Sequence, residues 1–241
     1  MSDIWGKNIQ FAIFGESHGN AIGGVISSLP AGVEIDFEAI NYELRRRNHR
    51  ASYSTARAEA DEYEILSGVY QGKTTGSALS FIIRNNDTKS LDYKNLNITP
   101  RPGHADFTAS VKYAGFNDYR GGGHFSGRIT APLVVAGAIA KQILLSSGIN
   151  VFAQILSVGN VKGKSFLDSD ISDNTADSLR TKMFAVADDA LEAEMMSEIE
   201  KYRKDGNSVG GIIECAVTGI DAGYGDPFFD SVESRLSAMM F

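Results

Sequence analysis

A single cysteine, Cys215, occurs in the 241 residues, which excludes an intrachain disulfide and any multi-cysteine metal site and favours a reducing cytoplasm. No run of eighteen apolar residues is present. The stretch from Met1 to Ser17 also lacks a positive segment followed by an apolar one, so neither a membrane span nor an export signal is expected. No internal repeat, low-complexity tract or linker-like change of composition interrupts the sequence, which reads as one continuous domain over 1–241. The four histidines show no His-x-x-x-His or paired carboxylate spacing, so no metal site is expected.

The net charge of −7 is unevenly placed. Residues 1–150 hold 15 Lys and Arg against 14 Asp and Glu, whereas residues 151–241 hold 8 against 16. Arg45, Arg46, Arg47, Arg50 and Arg57 crowd one stretch, and Arg101, Arg120 and Arg128 follow later. A nucleic-acid-binding face spreads cations widely with aromatics between them, and the acidic balance argues against that class. Clustered guanidinium groups in an acidic chain point instead to a small polyanionic ligand.

Alternation of Ile9, Phe11 and Ile13 predicts a strand over 8–14 ended by Gly15, and a second apolar strand runs over 22–29. Asp36 is placed to cap a helix whose Phe37, Ile40 and Leu44 share a face, with arginines in the last turn, where they also suit the helix dipole. Strands are expected over 64–70 and 78–84, a polar mobile loop over 48–55 and irregular chain over 85–102. Thr130 is expected to cap a helix reaching Ser147, apolar around most of its circumference and therefore buried between layers. A strand over 149–158, a polar surface excursion over 159–175, an amphipathic helix over 188–204, a strand over 208–218 and a helical pattern from Asp230 complete the reading.

Three short segments set a histidine among small or turn-forming residues. They are Gly15-Glu16-Ser17-His18-Gly19, Arg101-Pro102-Gly103-His104-Ala105-Asp106 and Arg120-Gly121-Gly122-Gly123-His124-Phe125-Ser126-Gly127-Arg128. Glycine lets backbone N–H groups approach a ligand closely, and imidazole changes charge near neutral pH, so these segments suggest a site that moves protons beside an anion. The glycine run ahead of a Thr130-capped helix offers an anion cradle. Asp106 could orient His104 or accept from a backbone N–H, and the second role is the expected one. His49 reads as a solvated loop residue. In this order and separation the three segments resemble the chorismate synthase family, from about Ile4 to the last residue.

The resemblance implies an α/β (α+β) fold, a β-α-β layered sandwich with helices enclosed between sheets, and a homotetramer. It also implies that the family's chains continue beyond Phe241, so 1–241 is expected to be a C-terminally incomplete chorismate synthase domain. The implied reaction is the 1,4-anti elimination of phosphate from 5-enolpyruvylshikimate 3-phosphate to chorismate, dependent on reduced FMN, with NADPH as reductant where a member reduces its own flavin. His18 and His104 match the family's two histidines, one supporting the charge of the reduced flavin and one protonating the departing phosphate. The proximity of Arg101 favours His104 for the phosphate, and the reverse stays open. Ser17, Arg47, Arg57, Arg101 and Arg128 fall on substrate-side positions, Ser17 reading equally as a turn residue. Arg46 matches a position associated with the nicotinamide cofactor or substrate. His124, Phe125 and Ser126 align with the segment that holds the flavin phosphate or ring edge, with His124 where many members carry arginine. Two other classes are weighed against an active enzyme: an inactive relative serving as a binding or assembly module, and a protein that merely captures phosphate.

Overall fold

The computed structural model describes residues 3–48, 61–86, 98–169 and 171–241. Two compact units divide the chain, the first ending at Gln142 and the second beginning at Ile143. In chain order the first contains β1 (Ile4–Trp5), β2 (Gln10–Gly15), β3 (Ala21–Ser27), α1 (Phe37–Arg47), β4 (Tyr63–Ser67), β5 (Val69–Tyr70), β6 (Lys73–Thr74), β7 (Leu79–Arg84), α2 (Asp106–Lys112) and most of α3 (Thr130–Ser146). With antiparallel sheets and segregated helices, the chain is an α+β protein.

Five of these strands form an antiparallel sheet in the order β1-β2-β3-β7-β4. Strand β7 shows how period-two alternation builds its core, because Leu79, Phe81 and Ile83 are all fully buried. With Ile22 and Ile40 they each contribute about 1.5–3 kcal/mol of burial. The strand expected over 64–70 is broken in two. Gly68, at φ +85°, turns the chain after β4, and β5 instead pairs with β6 as a separate hairpin.

Asp36 caps α1 as expected, its carboxylate accepting from the Ala39 N–H at 3.0 Å. The same residue ties α1 to α3, since the Gln142 side chain both accepts from Asp36 N (2.8 Å) and donates to Asp36 O (3.0 Å). Lys141 pairs with Glu43, and Arg47 reaches the Thr130 end. The two helices therefore run antiparallel, which delivers the last turn of α1 to the start of α3.

Two expectations for α3 are corrected. Ser126, not Thr130, is the cap: its hydroxyl accepts from Arg128 N and opens a 3-10 turn over Gly127–Ile129 that leads into α3. Thr130 instead donates its hydroxyl proton to the Gly127 carbonyl at 2.6 Å. Burial is also one-sided. Ala131, Pro132, Val135, Ala138 and Ile139 are buried, while Gly137, Ala140 and Leu145 are exposed. The stretch Gly127–Ser146 is long and apolar enough by composition to cross a membrane, and about a third of its most apolar part is buried in the fold.

The second unit holds β8 (Asn150–Val158), β9 (Val161–Lys162), α4 (Asp173–Thr181), α5 (Asp189–Lys204), β10 (Gly211–Thr218) and α6 (Val232–Met240). Its antiparallel sheet has the order β10-β8-β9. Phe152 and Phe166, edge-to-face at 5.4 Å, pack with Ala176 and Leu179. A second cluster joins Val158, Phe184, Val186 and Met195. Helix α4 lies partly in what its composition marks as a polar excursion. The Ser172 hydroxyl caps it, and Ala176 and Leu179, three residues apart, suffice to bury one face. Asp188 caps α5 as the periodicity predicts.

Candidate active site

The first histidine segment is the turn between β2 and β3. Asn85, just past β7, donates both amide hydrogens into this turn, to Glu16 O and Gly19 O at 2.9 Å each. The Ser17 N–H donates to Gly123 O at 3.1 Å. Ser17 and His18 are thereby buried against the third histidine segment. Full burial makes Ser17 a packed turn residue.

Gly121, Gly122 and Gly123 all have positive φ, at 58°, 85° and 55°. A methyl group added to Gly121 would overlap Cε1 and Nδ1 of His18 and stand 3.0 Å from the Ser17 hydroxyl. One added to Gly122 would stand 2.7 Å from His104 Cε1 and 3.0 Å from Nε2. The two imidazoles thus rest on successive glycines. Adjacent Cα atoms are 3.8 Å apart, so the rings lie within about 12 Å of each other. This convergence of His18 and His104, separated by 86 positions in the chain, is the central geometric fact of the site.

His104 precedes α2 and is held by an acid–base cluster. Its Nδ1 lies 2.7 Å from Asp106 Oδ1. Arg101 grips the same carboxylate through its backbone N (3.0 Å), Nε (2.8 Å) and Nη2 (2.9 Å). Asp106 therefore does both things weighed for it: it accepts a backbone N–H and it contacts the imidazole. The Arg101 side chain, hydrogen-bonded to the carboxylate, holds the Asp106 pKa down from 3.8 to about 2, outweighing burial. Folding thus gains stability from this carboxylate above about pH 4 and loses it as pH falls toward 2. Since Arg101 is 36% exposed and solvent screens it, the expected contribution is about 1–2 kcal/mol. Urea titrations at pH 5 and pH 2.5 should show that Asp106→Asn loses less stability on acidification than the parent by that amount. Parallel losses would refute it.

Arg120 is gripped in the same bidentate manner by Asp118, Nε to Oδ1 at 2.8 Å and Nη2 to Oδ2 at 2.7 Å. That pair, with a smaller contribution from the charge of His18, lowers the Asp118 pKa. Arg47 and Arg128 converge on one buried carboxylate, Asp61. Arg47 also donates to Gly127 O and Thr130 Oγ1, and Arg128 to Asn85 Oδ1 and Arg84 O. Two of the four expected substrate arginines, Arg47 and Arg128, therefore act as ties between α1, β7 and the turn ahead of α3. Arg128, at 4% exposure, is the more deeply committed. Arg46 pairs with Glu43 across one turn of α1 at 2.9 Å. Arg57 and His49 lie outside the described residues.

His124 Nδ1 donates to the Gly15 carbonyl at 2.8 Å, and its Nε2 faces Asp3 at 3.7 Å. It lines a cavity of about 430 Å³ together with Phe14, Tyr113, Phe116 and Phe125, while Asp3, Glu16 and Asp118 supply acidic groups. Tyr113 and Phe125 stand 6.2 Å apart at 59°. Such walls suit a planar aromatic ring and repel its phosphate. The expected anion cradle at the start of α3 is also closed, because Ser126 already accepts the N–H groups of Arg128 and Ile129. No group of three His, Cys, Asp or Glu suited to a metal ion occurs among the described residues.

Asp61, Asn85, Asp118 and Arg120 belong to this site, and periodicity and spacing gave no reason to select Asp61 or Asn85. Asp118, two residues before the motif arginine Arg120, carried a local signal.

Residues 9–241 match the family model described as chorismate synthase. The chorismate synthase of Thermococcus kodakarensis is 41% identical over 236 residues, covering 98% of this chain and 64% of that protein. That of Christiangramia forsetii is 43% identical over 237 residues, with 98% and 65% covered. A crystal structure of chorismate synthase superposes with a TM-score of 0.74 at 26% identity, covering 97% of this chain and 65% of that one. The chain thus spans about two thirds of the length of the relatives it matches.

Proposed function

Because this chain belongs to the chorismate synthase family, we propose that it serves the 1,4-anti elimination of phosphate from 5-enolpyruvylshikimate 3-phosphate, with reduced FMN as cofactor. The observation that carries this reading is the seating of two histidines on adjacent glycines beside paired guanidinium groups. Phosphate is a poor leaving group as a full anion, and a positioned proton donor contributes about 10²- to 10⁴-fold in rate. His104, with Arg101 against it, donates that proton to the departing oxygen. Arg101 and Arg120, both partly exposed, meet the substrate's anionic groups in place of the buried Arg128.

Reduced FMN, when bound, supplies transient electron density to the substrate and helps accept the ring proton. Phe14, Tyr113 and Phe125 would flank its ring and exclude water from it. His18 follows directly from the cavity-lining Gly15 and Glu16 and supports the charge of the reduced ring. NADPH as reductant, a homotetramer and a cytoplasmic setting belong to the same reading.

Anaerobic assays with photoreduced FMN and the phosphorylated substrate test it. Chorismate should form, and His18→Ala and His104→Ala should each lower turnover at least about a hundredfold. Near-full activity in both variants rejects the assigned roles, and no chorismate from the 241-residue chain favours a binding or assembly module.

A further inference from the structure

We propose that Asp106 is a positioning residue that holds His104 as its Nδ1–H tautomer and so reserves Nε2 for the ligand. A carboxylate oxygen 2.7 Å from a ring nitrogen repels a lone pair there and attracts a hydrogen, so the contact between Asp106 Oδ1 and His104 Nδ1 favours the single N–H of the neutral imidazole on Nδ1. Asp106 has no freedom to turn. It is 3% exposed, and three N–H groups of Arg101 occupy it, two on Oδ2 and one on Oδ1. What remains is the acceptor direction facing the ring.

Arg101 does not compete for Nε2. Its Nη2 lies 3.2 Å from Nδ1 and 3.1 Å from Nε2. These two atoms flank Cε1, so a donor nearly equidistant from both stands over the ring face, as guanidinium groups stack, and not in line with either lone pair. The Cε1–Nε2 edge instead borders the space left by the missing Gly122 side chain, on the same backbone run that receives His18. One cluster thereby separates two tasks: Asp106 draws the hydrogen to Nδ1, and Nε2 is the ring nitrogen left on the Gly122 side.

The substitution Asp106→Asn inverts this logic. The two Arg101 donors on Oδ2 require an oxygen there, which turns the new amide NH₂ toward Nδ1 at the loss of the bond from Nη2. Nδ1 must then accept, and the hydrogen moves to Nε2.

The inference rests on the reading of His104 as the proton-bearing group, but its test does not use turnover. Long-range ¹H–¹⁵N spectra of the full chain, recorded where the imidazole is neutral, report the tautomer directly, with His104 assigned by the signals lost in His104→Gln. The parent should show the Nδ1–H form in roughly tenfold or greater excess, as expected for a carboxylate in contact with one ring nitrogen. In Asp106→Asn the excess should vanish or reverse. A parent dominated by the Nε2–H form overturns the proposal even if the variant fails to fold, and so does an unchanged ratio in a folded variant. Full activity of His104→Ala would reject the catalytic reading and leave the tautomer result standing.

Discussion

Gly121→Ala is expected to cost about 2–5 kcal/mol of stability and at least about a hundredfold in the proposed turnover. Two costs combine. At φ +58° an L side chain adopts a left-handed backbone that costs about 1–2 kcal/mol, and the new methyl overlaps the His18 ring. His18 has nowhere to go, because the turn that carries it is pinned by Ser17 N to Gly123 O and by both Asn85 amide hydrogens. The overlap is resolved by overpacking strain of about 1–3 kcal/mol or by expelling the imidazole from its place. Gly127→Ala is the control. That glycine does not have positive φ, and its added methyl meets nothing within 4 Å, so its stability should stay within about 0.5 kcal/mol of the parent. Urea unfolding of both variants decides the matter, and equal losses would mean that the seating of His18 on Gly121 carries no weight.

Asp61→Ala should destabilise the first unit by about 3–5 kcal/mol. It removes the carboxylate shared by Arg47 and Arg128, while Arg128, nearly buried, retains its bonds to the neutral oxygens of Asn85 and Arg84. A buried cation deprived of this carboxylate is the costly product, more than the lost pair itself. The double variant Asp61→Ala with Arg128→Met should therefore be less destabilised than the two single losses summed, by at least about 1 kcal/mol. Additive losses in chemical denaturation would show that the two side chains do not act as a unit. Loss of Asp61 should also release the Gly127 carbonyl and Thr130 from Arg47, loosening the link between α1 and the start of α3.

Helix starts at Asp36 and Asp188 are legible in the sequence because a capping side chain meets an N–H only two or three residues away. The alternation of β7 is legible for the same reason, since each residue's facing depends on its neighbours. Thr130 misleads because Ser126 competes for the same duty one 3-10 turn earlier, a choice that depends on where the glycine run delivers the chain. The all-round apolar α3 reads as enclosed, yet periodicity states only what a face tolerates and not what covers it. For the site, the glycine and histidine segments were visible, whereas the fate of the arginines was not. Arg47 finds Asp61 fourteen residues away and Arg128 finds it 67 away. His124 finds the Gly15 carbonyl 109 residues distant.

By itself, then, the sequence determined the kinds of element, the cap of α1 at Asp36 and the three glycine-flanked histidines, because each of these is a matter of short-range sterics and hydrogen bonding. Only the tertiary structure decided that His18 and His104 share one glycine run, that Asp106 faces an imidazole, and that Arg47 and Arg128 serve Asp61. A buried charge must be paired by whatever opposite charge the fold brings within reach, and that choice is made across the chain, where no local pattern records it.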